Sequence, residues 1–150
     1  MKEKIRAAIL GLGTVGTGVD KIIQNQKDEF PFKIGSELEV AKILVKNTKK
    51  HRDGIDMSLI TNKWEDIIND DSIDIVIEVM GGIEPAKTYI TEALSRGKHV
   101  VTANKDLMAE HGHVLLDTAA EHKCDLLFEA AVAGGIPIIR PLKQCLAANS

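Results

Sequence analysis

Three glycines with the spacing GxGxxG directly follow the first apolar segment of the chain. Residues 4–10 are apolar enough to predict a buried strand, and the glycines are Gly11, Gly13 and Gly16. A helix with an apolar face is predicted immediately afterwards, over residues 14–26. Between a strand and a helix, this spacing is the fingerprint of a dinucleotide-binding unit, because glycine permits the tight turn, the close approach of a pyrophosphate and tight helix packing. A purely structural glycine turn is the alternative, which the position of the motif disfavours.

Strands and helices alternate along the rest of the chain. Further strands are predicted at 38–45, 73–80, 99–102 and 125–131, and further helices at 64–68, 85–95 and 105–121. Polar segments at 28–36 and 47–58 predict loops. This alternation predicts an α/β fold, a Rossmann-like doubly wound parallel sheet with helices on both faces.

The bulk properties of the chain fit a soluble globular protein. Its 150 residues are 44% hydrophobic and 27% charged, with a formal net charge of −3. Neither nucleic acid nor a membrane is therefore expected as a partner, and no apolar run has the length of a membrane span. Cys124 and Cys145 lack CxxC spacing, which predicts free thiols and a cytoplasmic location.

The end of the second strand bears on the choice between NAD and NADP. A carboxylate at this point would hold the ribose 2′-hydroxyl of NAD. The chain instead has Lys46, Lys49 and Lys50, and a 2′-phosphate would be attracted beside Lys46 or Lys49. We therefore expect NADP to be preferred, with NAD possible, although a solvated basic loop would have the same composition.

Two glycines follow the apolar strand 73–80. Gly81 and Gly82 would let a cofactor lie against the backbone at the carboxyl end of that strand, and a simple turn is an equal alternative. Glu78 lies inside the apolar run and needs a partner if it is buried. A structural role and a place in the ligand cleft both remain open for it.

Lys105 is the candidate for chemistry. It follows the strand 99–102, whose last residue, Thr102, is a further candidate for cofactor binding, and it begins a helix. Oxidation of an alcohol needs a base, and a lysine can act as one or can orient the substrate. From the pattern alone, an ordinary solvated lysine is the favoured alternative.

Four segments together resemble the homoserine dehydrogenase family. They are GLGTVG at 11–16, EVMGG at 78–82, GKHVVTANK at 97–105 and FEAAVAGGIP at 128–137. Their order and spacing are similar to those of the family over nearly the whole chain. The resemblance implies an NAD(P)-dependent oxidoreductase acting on a CH–OH group, which interconverts L-homoserine and L-aspartate 4-semialdehyde in threonine, methionine and isoleucine biosynthesis.

The resemblance also implies roles for particular residues. It makes Lys105 a catalytic or substrate-proximal lysine. It implies a sodium ion held by backbone carbonyls, which would be those of Glu129, Val132, Gly134 and Ile136. Without the resemblance, a crossover packed with small residues would be the favoured interpretation of that segment. Cofactor contacts carry over to Leu12, Gly13, Thr14, Val15, Lys46, Gly81 and Lys105. Lys46 stands where the family often has arginine, which softens the NADP prediction.

The family resemblance implies a particular domain organisation. Residues 1–137 would form the NAD(P)-binding domain, and residues 138–150 would begin a helix leading into a substrate and dimerisation domain that is absent from this chain. We expect the parent enzyme to be a homodimer or homotetramer. The acidic residues that would hold the amino group of homoserine have no counterpart here, so we expect the chain alone to bind dinucleotide with little or no turnover.

Two other functions are compatible with the fold. A related oxidoreductase, such as an aspartate or aspartate-semialdehyde dehydrogenase, is one. The latter needs a nucleophilic cysteine in a catalytic turn, and neither Cys124 nor Cys145 is so placed. A nucleotide sensor is the other, since fold does not fix function, and a sensor would not need Lys105 at the mouth of the cleft.

Overall fold

The computed structural model describes residues 4–13 and 37–128, which form a parallel sheet with helices. The strands are β1 (Lys4–Leu10), β2 (Glu37–Leu44), β3 (Ile60–Thr61), β4 (Ile75–Glu78), β5 (His99–Thr102) and β6 (Leu126–Phe128). The helices are α1 (Glu65–Ile68), α2 (Ala86–Ser95) and α3 (Lys105–Glu121), and a 3-10 turn spans Met57–Leu59. The predicted helix 14–26 lies outside the described residues.

The six strands lie in the order β3-β2-β1-β4-β5-β6, and every neighbouring pair is parallel. The chain therefore runs outwards from β1 to β3 on one side and from β4 to β6 on the other. The order reverses between β1 and β4, and ligands of open α/β sheets bind at the carboxyl ends of the strands beside such a reversal. This topology confirms the predicted Rossmann-like parallel sheet.

Side chains of alternate residues build two hydrophobic clusters, because successive residues of a strand point to opposite faces. Ile75 and Ile77 of β4 belong to one cluster and Val76 to the other. The second cluster also takes in the apolar faces of all three described helices, including Ile90 of α2 and Leu115 of α3. β4 and β5 are buried along their whole length, as expected for central strands covered on both faces.

The limits of the three described helices match the sequence prediction to within one residue, and β2 is displaced by one residue from the predicted strand 38–45, but β4 differs more. The predicted strand 73–80 is shortened to β4, because the N–H of Ile73 closes a turn onto the Asp70 carbonyl and the N–H of Met80 donates to the side chain of Glu78. β3, which the sequence did not predict, is only two residues long. β6 ends at Phe128, so the rest of the predicted strand 125–131 lies outside the described residues.

The structure bears on two expectations that were drawn from composition. No helix within residues 4–13 and 37–128 combines the length and apolar character that a membrane span requires. Cys124 is a free, buried thiol, and burial raises its pKa above the ordinary value for cysteine, with the nearby Asp125 adding to the shift. Cys145 lies outside the described residues.

Candidate functional site

A cleft of about 1030 Å³ opens at the carboxyl ends of β1, β2 and β4. Its walls come from residues within the segments 11–13, 44–52 and 80–89, together with Asn62. The volume is that of a ligand pocket for a sizeable organic molecule. The cleft lies where the strand order reverses.

The glycine segment after β1 forms the floor of the cleft. Gly11 has φ +96°, and its N–H donates to the carbonyl of Leu44 at 2.9 Å. A Cβ on Gly11 would lie 3.2 Å from the Cα of Met80, whereas a Cβ on Gly13 would meet nothing within 4 Å. Gly11 therefore permits close packing of three chain segments, and Gly13 leaves open space. Thr14, Val15 and Gly16 lie outside the described residues.

The wall after β2 is basic. Lys46, Lys50 and Arg52 all line the cleft, and the two lysines are exposed. The Arg52 guanidinium donates to the backbone carbonyls of Asn47 at 2.9 Å and Lys50 at 3.0 Å, which closes the loop on itself. Lys49, which the sequence prediction weighted equally, is not among the lining residues.

The wall after β4 contributes the one carboxylate among the described residues that line the cleft. This is Glu84, whose carboxylate accepts hydrogen bonds from the hydroxyl of Thr88 at 2.8 Å and from the Thr88 N–H at 3.0 Å. These bonds hold the pKa of Glu84 below its usual range. Glu84 lies on the wall after β4. Residues 45–52, on the basic wall after β2, include no carboxylate.

An aromatic pair lies at the outer part of the same wall. Tyr89 lines the cleft and stacks on Trp64, with 4.4 Å between ring centroids and 19° between ring planes. The indole N–H of Trp64 donates to the carboxylate of Glu92, which fixes the inner ring. Tyr89 therefore presents a supported apolar surface to a ligand.

Glu78 is completely buried under the wall after β4. Its Oε2 accepts hydrogen bonds from the N–H of Met80 at 2.9 Å and of Gly81 at 3.2 Å, and its Oε1 accepts one from the Thr102 hydroxyl. The two alternatives left open for Glu78 are thereby resolved. The carboxylate has a structural role: it holds the glycine loop of the cleft through the N–H groups of Met80 and Gly81.

Gly81 and Gly82 are exposed in that loop, with φ +75° and +74°. Both line the cleft, as do the predicted residues Gly11, Leu12, Gly13 and Lys46.

Three residues at the end of β5 and the start of α3 lie beside the cleft but do not line it: Thr102, Asn104 and Lys105. Asn104 donates from Nδ2 to the Gly82 carbonyl at 2.6 Å and caps α3 by accepting the N–H of Leu107 at 3.1 Å. Lys105 follows as the first, exposed residue of α3. Thr102 is fully buried, its hydroxyl committed to Glu78. The structure thus brings Lys105 to the same edge of the sheet as the cleft but not into its wall.

The predicted sodium ligands Glu129, Val132, Gly134 and Ile136 lie outside the described residues. Within residues 4–13 and 37–128, no group of three or more His, Cys, Asp or Glu side chains is placed to hold a metal ion.

Sequence reasoning missed Lys50, Arg52 and Tyr89 in the walls of the cleft and Asn104 beside it. Arg52 continues the basic run after β2, which is a signal that could have found it. Asn104 stands directly before a predicted helix, where an asparagine commonly caps. The contribution of Tyr89 depends on the path of the loop after β4, for which the sequence has no pattern.

The family model described as the NAD-binding domain of homoserine dehydrogenase matches residues 11–129. Homoserine dehydrogenase of Bacillus subtilis is 49% identical over 148 residues, covering 98% of this chain and 34% of the relative. That of Lactococcus lactis is 43% identical over 149 residues, covering 97% of this chain and 35% of the relative. The chain thus spans about a third of the length of the curated relatives it matches.

Solved structures give the same result. Homoserine dehydrogenase of S. aureus at pH 7.5 superposes with a TM-score of 0.80 and 44% identity, covering 85% of this chain and 32% of that chain. The enzyme of Thiobacillus denitrificans superposes with a TM-score of 0.81 and 41% identity, covering 93% of this chain and 32% of that chain.

Proposed function

Because this chain belongs to the homoserine dehydrogenase family, whose NAD-binding domain it carries, we propose that its cleft binds NADP for the interconversion of L-homoserine and L-aspartate 4-semialdehyde. The observation that carries the proposal is the cleft itself, which lies at the reversal of strand order and has glycines on its floor and cations on one wall. The pyrophosphate would lie over Gly13, where the space is open.

The preference for NADP rests on the basic wall after β2. Lys46, Lys50 and Arg52 line the cleft there, and residues 45–52 include no carboxylate that would bind the 2′-hydroxyl of NAD. A 2′-phosphate would instead accept charge-assisted hydrogen bonds from these cations. Arg52 also holds the shape of this loop through two backbone carbonyls.

Calorimetric titration of the chain with NADP and NAD tests this preference. We expect NADP to bind at least about tenfold more tightly, since charge-assisted hydrogen bonds contribute about 1.5–3 kcal/mol each. Lys50→Gln should remove a good part of the difference by weakening NADP binding alone. Lys49→Gln is the matched control, because that exposed lysine in the same loop does not line the cleft. Equal affinity for the two dinucleotides, or equal effects of the two substitutions, would count against the assignment.

Lys105 is the proposed catalytic residue. Bound NADP would supply the hydride acceptor. Lys105 would take the proton of the homoserine hydroxyl as the carbonyl forms, or would hold that hydroxyl in place for proton transfer. Support comes from its position, exposed as the first residue of α3 and next to Asn104, which contacts the glycine loop.

Substitution of Lys105 tests its role in the enzyme that contains this chain. Lys105→Ala should lower kcat with homoserine by roughly 10²–10⁴-fold, which is the usual contribution of a general base, while NADP still binds. Lys63→Ala, at an exposed lysine before α1 that is not among the cleft residues, should leave kcat unchanged. Unchanged turnover in Lys105→Ala would move the chemistry to another residue, whereas no turnover of homoserine by the wild-type enzyme would favour a nucleotide sensor.

The remaining features of the proposal rest on membership of the family. Residues 1–137 would be the NAD(P)-binding domain and residues 138–150 the start of a helix towards a substrate and dimerisation domain. Carbonyls of the segment 129–136 would hold sodium. The enzyme would work in the cytoplasm as a homodimer or homotetramer, in the biosynthesis of threonine, methionine and isoleucine.

A further inference from the structure

We propose that Asn104 is a positioning residue: it fixes the spacing between the glycine loop of the cleft, residues 80–82, and the start of α3, so that the nicotinamide half of a bound dinucleotide meets a preformed surface beside Lys105. The inference rests on the proposed function, because it takes the ligand of the cleft to be a dinucleotide.

The side chain of Asn104 forms hydrogen bonds in two directions. Its Nδ2 donates to the Gly82 carbonyl at 2.6 Å and reaches Oε2 of Glu78 at 3.4 Å, while its Oδ1 accepts the N–H of Leu107 at 3.1 Å. The residue is only 5% exposed. One buried amide therefore fastens the loop after β4 to the first turn of α3.

The buried carboxylate of Glu78 holds the same loop and the end of β5. Its carboxylate accepts the N–H groups of Met80 and Gly81 and the hydroxyl of Thr102, and that hydroxyl accepts the N–H of Asn104 at 3.1 Å. The ends of β4 and β5, the glycine loop and the helix start thus share one hydrogen-bond network. In a buried network of this kind, removal of one donor leaves its acceptors unsatisfied.

Met80 packs against the second hydrophobic cluster, but the two glycines that follow it have no such anchor. Gly81 and Gly82 have no side chains, and a Cβ at either position would meet nothing within 4 Å. The conformation at Gly81 and Gly82 therefore depends on their hydrogen bonds to Glu78 and Asn104. A loop freed from Asn104 would have to be ordered when the ligand binds, and the entropy of that ordering would lower the affinity.

The strand order separates this network from the basic wall. β2, which precedes the cations, lies on one side of β1, and β4 and β5 lie on the other. A dinucleotide bound across the reversal would place its adenosine 2′-phosphate near β2 and its nicotinamide near β4 and β5. Loss of the Asn104 contacts should therefore weaken binding of the whole dinucleotide without weakening binding of its adenosine half.

Two substitutions separate the hydrogen bonds that Asn104 donates to the glycine loop from its role as the cap of α3. Asn104→Asp and Asn104→Ser both keep a side-chain oxygen that caps α3, and both lose the amide donor to Gly82 and Glu78. Asn104→Asp also places a second carboxylate against that of Glu78. Asn69→Asp is the matched control, because Asn69 is an exposed asparagine after α1 and the change in charge is the same.

The test is calorimetric titration of the 150-residue chain with NADP and with adenosine 2′,5′-bisphosphate, with thermal unfolding recorded for each variant. We expect NADP to bind about tenfold more weakly to both Asn104 variants, because the loop freed from Asn104 must be ordered when the dinucleotide binds. The bisphosphate should bind as it does to the wild type, and Asn69→Asp should bind both ligands normally.

Three results would overturn the inference. They are unchanged NADP affinity in the Asn104 variants, equal losses for the two ligands, and loss of cooperative unfolding in both variants, since the retained cap predicts folded domains. Failure of the wild-type chain to bind either ligand would instead refute the proposed function, and the inference with it.

Discussion

Gly11 meets two requirements that only glycine satisfies together. Its φ of +96° is a conformation that other residues rarely adopt, and a Cβ would lie 3.2 Å from the Cα of Met80. Its N–H also ties β1 to the Leu44 carbonyl. Gly13 lies two residues later in open space. The two glycines of one motif thus have different physical roles, the first in packing and the second in leaving room for a ligand.

Substitution by alanine should separate these roles. Gly11→Ala should lower the free energy of unfolding by about 1–3 kcal/mol, because the backbone is strained and Met80 must move. Gly13→Ala should change it by less than about 0.5 kcal/mol and should abolish dinucleotide binding, because the methyl group would occupy the space proposed for the pyrophosphate. Urea denaturation and calorimetry measure the two quantities. Equal stability losses, or normal NADP binding by Gly13→Ala, would contradict this division.

At the scale of single residues, sequence reasoning found the parts of the site that the backbone dictates. Gly11 and Gly13 line the cleft, because a fingerprint motif fixes where its backbone lies. Gly81 and Gly82 also line it, although a simple turn was an equal alternative for them. The sequence could not tell Lys46 from Lys49, since only the path of the loop decides which lysine faces the cleft. Glu78 remained open for a similar reason: its partners lie in the following loop and on β5.

Two helices end in the same hydrogen-bonded motif with different residues at the key position. After α2, Gly97 has φ +82° and the next N–H donates to the Ala93 carbonyl at 3.0 Å. After α3, Lys123 has φ +56° and the next N–H donates to the Ala119 carbonyl at 2.9 Å. This is the Schellman motif, for which glycine is the favoured residue. α3 therefore ends with a strained lysine where α2 has a relaxed glycine.

Exchanging the residue types should shift stability in opposite directions. Lys123→Gly should raise the free energy of unfolding by about 0.5–1 kcal/mol, since the left-handed conformation costs a side-chain-bearing residue about that much after the greater entropy of unfolded glycine is counted. Lys123 is exposed, so little packing is lost. Gly97→Ala should lower the same quantity by about 1 kcal/mol. Urea denaturation of both variants measures the shifts, and a less stable Lys123→Gly would refute the argument.

Helices were predicted more accurately than strands because their ends carry local signals. Pro85 precedes α2, Asn104 caps α3, and Gly97 follows α2, and each acts on the backbone within a few residues. Strand limits depend on partners far along the chain. The two residues of β3 become a strand only because Ile43 and Leu44 lie beside them. Likewise the carboxylate of Glu78 ends β4 by taking the N–H of Met80.

Within residues 4–13 and 37–128, positive charge is concentrated on one wall of the cleft. Lys46, Lys50 and Arg52 lie at the carboxyl end, on the wall of the cleft. At the other end, before β4, charges of both signs are mixed, since Asp70 and Asp74 lie beside Arg6 and Lys98. A net charge of −3 is therefore compatible with an anionic ligand, because the local field at the cleft attracts it.

The end of the sheet opposite the cleft also holds a buried cation. Lys98 donates from Nζ to the carbonyls of Asp70 at 2.7 Å and Ile73 at 2.9 Å. Burial holds the pKa of Lys98 below its ordinary value, although nearby aspartates oppose the shift. This cation fastens the turn before β4, at the end of the sheet opposite the cleft.

The architecture as a whole followed from the sequence, since strand and helix alternation permits few topologies. The strand order β3-β2-β1-β4-β5-β6 and the place of the cleft are consequences of that fold. The conformation of the basic loop after β2 could not be predicted from the sequence, because Arg52 holds it through backbone carbonyls of the same loop. Such contacts depend on how the loop folds back, which no periodicity records.

Mapping of backbone amide chemical shifts during titration with NADP tests the central claim most directly. Binding in the cleft predicts the largest changes within residues 11–13, 46–52 and 80–84, and little change at residues 70–74 and 98 on the opposite end of the sheet. Absence of any change, or changes centred on residues 70–74 and 98, would contradict the assignment of the cleft as the dinucleotide site.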